Sequence, residues 1–136
     1  MGTLALGLRP AHIPAARVAA IKARVLEKVR SLPQRDFSTI RFHEGEWSAL
    51  AAGIDFKLLY IDPERRTRSF LLRMAPDTTL PGHDHAEDEE CLVLEGEVQL
   101  GDVHVRAGDY HMAPKGLAHG AIYSKTGCLL YLRAAA

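Results

Sequence analysis

The segment His83-Asp84-His85-Ala86-Glu87-Asp88-Glu89 concentrates side chains that can bind a metal. In extended backbone, residues two apart share a face with Cα atoms ~6.6 Å apart, so His83 and His85 can both reach one ion. A short polar turn then leads to Glu89, which can open the next strand facing the same interior and add an anionic oxygen. A third histidine, His119, follows Pro114-Lys115-Gly116, a tight turn in which proline fixes φ and glycine marks the exit. Three imidazoles and one carboxylate suit a single divalent metal, Zn or Fe(II) first, with Mn, Ni and Co also compatible. Zn in a closed four-coordinate site suits a structural or sensing role, and Fe(II) with open positions suits oxygen chemistry.

Neighbouring residues are weighed against plainer roles. Glu90 rivals Glu89, but alternation groups it with Leu92 and Leu94, away from Glu89, Cys91 and Val93. Three side chains are candidates beside the metal. Cys91 falls on the Glu89 face, where a small buried hydrophobe is the alternative. Tyr123, four residues after His119, points into the cavity or fills the core. Arg73 faces the cavity mouth and pairs with an anionic ligand, or is simply solvated. His12, His43, His104 and His111 lack partners at ligand spacing and are read as structural or surface residues.

These residues must be positioned by something. After Pro14, the apolar positions Val18, Ile21, Val25, Val29 and Leu32 recur at three- and four-residue steps, predicting one amphipathic helix that ends before Pro33. Beyond it the period changes to two and turn residues recur at short intervals. The spacing predicts strands near 39–43, 53–61, 66–74, 89–95, 97–100, 103–107, 109–113, 119–124 and 127–133. Gly101-Asp102 between Val98-Gln99-Leu100 and Val103-His104-Val105 suits a two-residue type II′ hairpin. Many short antiparallel strands imply a sandwich or barrel. The expected division is a helical segment over 1–36 and a barrel over 37–136. The 89–95 strand is apolar on both faces, so its outer side needs a cover from the helix or from a second subunit, and a homodimer is expected first.

The chain has 136 residues, in the range of one domain, with 17 Lys plus Arg and 17 Asp plus Glu. That balance points to no nucleic-acid partner, and no apolar run reaches the length of a membrane span. Residues 1–41 carry eight basic side chains against two acidic ones. This basic, alanine-rich start has the composition of a transit peptide, but an ordered helix is the preferred reading. Cys91 and Cys128 are the two cysteines, outside any CxxC pattern, so reduced thiols in a cytoplasmic protein are expected.

The histidines and glutamate sit in a longer pattern. Residues 77–96 resemble the first motif of the cupin superfamily, G(X)5HXH(X)3,4E(X)6G. Gly108 to Tyr123 resembles the second, G(X)5PXG(X)2H(X)3N. Asp77 replaces the opening glycine and Tyr123 the closing asparagine. The resemblance implies an all-β cupin double-stranded β-helix, or jelly-roll, barrel behind an N-terminal helix. It also implies His83, His85, Glu89 and His119 around one metal, and room for a small-molecule ligand.

Glu89-Glu90-Cys91-Leu92-Val93-Leu94-Glu95-Gly96, with Leu71-Leu72-Arg73-Met74-Ala75-Pro76, Leu58-Leu59-Tyr60-Ile61-Asp62 and Arg68 upstream, is similar to the ChrR-like cupins, the metal-binding domain of anti-sigma factors. That likeness implies a regulatory or sensing module. Sigma binding in such regulators uses a zinc site with Cys-x-x-Cys, and no cysteine precedes Cys91, so anti-sigma activity is not implied. The group also resembles small diketone-cleaving dioxygenases, which implies the alternative of an Fe(II) enzyme acting on a small enolisable carbonyl compound.

Overall fold

The computed structural model describes residues 14–31, 36–118 and 120–136, with the side chains of 25–31 left aside. Pro14 starts helix α1 (Ala15–Ser31), its carbonyl accepting the first helical N–H groups from Arg17 and Val18. Among the described residues nine strands follow: β1 (Trp47–Ala51), β2 (Ile54–Asp62), β3 (Thr67–Met74), β4 (Thr78–Leu80), β5 (Glu89–Leu100), β6 (Val103–Arg106), β7 (Tyr110–Ala113), β8 (Ile122–Ser124) and β9 (Cys128–Ala135). All pairings are antiparallel. They run β1-β2-β3-β9-β5-β8-β4, with β6 and β7 also on β5.

Strand β5 curls this sheet into a half-barrel. Its first half pairs with β9 and β7, its second half with β6 and β8, and the register shifts between Val93 and Glu95. At the bend Gly96 has φ +75, and a Cβ there would lie 2.0 Å from the Gly127 carbonyl oxygen, so only glycine fits. The expected hairpin is present, with Leu100 opposite Val103 and Gly101 at φ 61. Ile54, Phe56, Leu72, Met74, Val93, Val98 and Leu130 form the buried interior.

Several expectations differ from the structure, and β1 and β4 were not expected as strands. Residues 39–43 form no strand. They belong to an irregular stretch, and the buried Lys57 ammonium donates to the carbonyls of Arg41 (3.5 Å) and Phe42 (3.0 Å), which a ladder would otherwise engage. The pair 89–95 and 97–100 is one strand, continuous through the bend at Gly96. Finally, the described side chains of α1 do not cover the outer face of β5. Val18, Ile21 and Lys22 line the interior cavity instead, and Arg24 donates to Ser48 of β1. The outer face leaves Leu92 36%, Leu94 42%, Tyr110 57% and Met112 43% exposed. Val25 and Val29 side chains, Leu32 and His12 lie outside what is described. Among the described residues, no helix is long and apolar enough to cross a membrane.

Candidate metal centre

The two histidines sit not in a regular strand but in the irregular segment 81–88 between β4 and β5. Hydrogen bonds to the following turn hold it. Gly116 N–H donates to the His85 carbonyl (2.8 Å), and Lys115 N–H donates to Asp88 Oδ1 (2.8 Å). His85 Nδ1 lies 2.6 Å from the Leu117 carbonyl oxygen. A carbonyl only accepts, so Nδ1 carries the proton, which leaves Nε2 as the atom a metal would take. The turn after Pro114 therefore orients the second histidine of the first motif.

His83, His85 and Glu89 each offer a ligand atom, all within 4.8 Å of one another, a group able to hold a metal ion. Glu89 Oε1 lies 3.4 Å from His85 Nε2, and Glu89 Oε2 lies 3.6 Å from His83 Nε2. These separations are longer than a charged hydrogen bond. They run to different oxygens of the carboxylate, each near the roughly 3.4 Å edge between two tetrahedral ligands that lie ~2.1 Å from a shared ion. The imidazole centroids are 4.8 Å apart. Side-chain exposure falls from 41% at His83 to 12% at Glu89 and 2% at His85, so the group is reached from the His83 side. The adjacent Glu89 carboxylate holds the His83 pKa above the usual histidine value, with burial opposing. Two neutral-capable imidazoles and a carboxylate fit a divalent cation of the zinc or first-row transition type. His119 lies outside the described residues.

The other candidates separate. Cys91 is buried and lines the cavity beside Glu89, and burial pushes its thiol pKa up to about 12, in keeping with a small buried hydrophobe. Glu90 lies on the opposite face, accepting from the Tyr110 hydroxyl at 2.7 Å. Arg73 does not face the cavity. It is exposed, with its guanidinium 4.1 Å from the centre of the Trp47 ring. Tyr123 is likewise not on the cavity lining; its hydroxyl donates to Asp77 at 2.8 Å. The two residues that replace the motif's glycine and asparagine thus bond to each other, Asp77 at φ 57. Regular strand begins only at Ile122, one residue before Tyr123. His43 and His104 are exposed.

The cluster opens on a cavity of about 680 Å³ with mostly apolar walls. Three polar lining residues, Lys22, Arg68 and His111, escaped the sequence reading as site residues. His111 is half-buried opposite Cys91 in the β5–β7 register, and Arg68 stands on β3. Alternation along 110–113 was the signal for His111, since Tyr110 and Met112 are exposed and Ala113 is buried.

Comparison with known structures places this architecture among cupins. A putative acetylacetone dioxygenase from Methylibium petroleiphilum PM1 superposes with a TM-score of 0.68 at 16% identity, covering 76% of this chain and 79% of that one. The complex of Rhodobacter sphaeroides SigE with the anti-sigma ChrR gives 0.61 at 19%, covering 88% and 79%. An RmlC-like cupin from Shewanella frigidimarina NCIMB 400 gives 0.64 at 19%, covering 75% and 93%. At such identities the likeness shows the fold. A comparison with curated protein sequences yields no match. Residues 35–136 match the family model described as the ChrR cupin-like domain, and the chain belongs to that family.

Proposed function

We propose that this ChrR-like cupin holds one divalent metal on His83, His85, Glu89 and His119, and that it works as a regulatory or sensing module for a small molecule. The observation that carries the reading is the opening of the His83, His85 and Glu89 group onto the apolar-walled cavity, with His83 and Glu89 on its lining. A ligand entering there meets the exposed edge of His83 and alters the metal's surroundings without crossing the protein. Family membership and the fold shared with the anti-sigma ChrR support a regulatory role. The outer patch of Leu92, Leu94, Tyr110 and Met112, which the described side chains of α1 leave uncovered, supports a homodimer through that face.

A second reading, an Fe(II) dioxygenase for a small enolisable carbonyl compound, draws on His111. This imidazole on the cavity wall supplies an acid–base group in reach of a bound substrate, and one capable of taking the proton lost on enolisation. A bound metal would supply Lewis-acid polarisation of the carbonyl or, as Fe(II), oxygen chemistry.

The test supplies small β-dicarbonyl compounds to the Fe(II)-reconstituted protein while dissolved oxygen is followed. The module reading expects metal and ligand binding without oxygen uptake. Metal-dependent uptake that drops at least tenfold in His111→Gln would replace it with the enzyme.

A further inference from the structure

The metal-capable group accounts for one wall of the cavity, and on another wall stands a cation it does not use. Arg68 is on β3, on the face that also carries the buried Phe70, Leu72 and Met74. Its guanidinium carbon lies 5.4 Å from the centre of the Phe56 ring and 5.0 Å from that of Phe70. Nε is shut off from solvent and has no hydrogen-bond partner among the described residues. Burial lowers the pKa, and the charge of Glu89 opposes that effect. The side chain stays cationic all the same. Aromatic faces interact with the plane of a guanidinium but accept none of its N–H groups, so Nε stays without an acceptor in a residue that lines the cavity.

The sheet register places this cation. Arg68 is opposite Ala134 of β9, and Glu90 is opposite Arg133, which sets Glu89 level with Ala134 on the other side. Arg68 and Glu89 therefore flank the same alanine, two strands or about 9.5 Å apart at Cα. Alanine at the middle position puts no bulk between them.

We propose that Arg68 anchors the carboxylate of a small organic acid bound in this cavity. The acid's apolar body lies against Phe70, Leu72 and Leu130, and a second oxygen a few atoms away is directed toward His83 and Glu89. A single guanidinium matches a single negative charge bidentately. A phosphate dianion would bring surplus negative charge into an apolar chamber already holding Glu89. The assignment deepens the small-molecule reading above, and its anchor end does not require the metal.

The experiment is isothermal titration of chelator-treated protein with hexanoate, its neutral isostere hexanamide, and inorganic phosphate. Wild type is expected to prefer hexanoate over hexanamide at least tenfold and over phosphate as well. Arg68→Met should erase the preference, Arg68→Lys should keep part of it, and Arg73→Met should leave it intact. Circular dichroism checks each fold, and Arg68→Lys carries the comparison if Arg68→Met does not fold. Equal binding of hexanoate and hexanamide, no binding of hexanoate at millimolar concentration, or a preference unchanged in both Arg68 variants would overturn the anchor. So would a preference abolished by Lys22→Ala instead. With Zn(II) added, 5-oxohexanoate should gain over hexanoate in wild type and not in His83→Ala. Loss of that gain alone refutes the metal end and leaves the Arg68 end standing.

Discussion

Two walls of one cavity are built in different ways. On the β4–β5 side, three ligand atoms come from seven consecutive residues, and the following turn fixes them through the Leu117 carbonyl. On the β3 side a single arginine reaches the same cavity because strand pairing sets it level with Ala134 and Glu89. The first wall is a local design that spacing alone encodes. The second exists only once three strands have found their register.

The largest break is expected where β5 passes from one half of the barrel to the other. Gly96→Ala forces a Cβ against the Gly127 carbonyl oxygen at a positive φ, so it should cost more than about 3 kcal/mol in urea unfolding or prevent folding. A milder break separates the inner from the outer side of β5. Leu92→Lys with Tyr110→Lys places charge on the exposed patch and should turn a dimer into a monomer in sedimentation, with the fold and metal content unchanged. An intact chain that sediments as a monomer at high micromolar concentration removes the dimer. The smallest effect sharpens the contrast between the two arginines of β3. Arg73→Ala loses only its stacking on Trp47, so stability should fall by about 0.5–1 kcal/mol while metal content stays as in wild type. A drop in metal content would return Arg73 to the site.

What was legible in the sequence follows the same division. The HxHx3E spacing, the Gly101-Asp102 hairpin and the helix after Pro14 each depend on a few neighbouring residues, and each is in the structure. Arg73 stayed open between cavity mouth and solvent because Phe70, Leu71 and Leu72 are all buried, which hides the alternation that puts Arg68 inside and Arg73 outside. The stretch 39–43 alternates like a strand, but its backbone carbonyls meet the Lys57 ammonium. Tyr123 stayed open between cavity and core, because the regular strand that carries it begins only at Ile122. His111 was readable from the alternation along 110–113, and the β5–β7 register sets it opposite Cys91.

The central claim is that His83, His85, Glu89 and His119 form one metal centre. It is tested most directly by counting metal per chain, by inductively coupled plasma mass spectrometry, in protein purified without chelator. About one equivalent of a divalent metal is expected in wild type and in His104→Ala, and less than about a tenth in His83→Ala, His85→Ala, Glu89→Ala and His119→Ala. Stoichiometric metal retained by the His83→Ala/His119→Ala double variant would contradict the account.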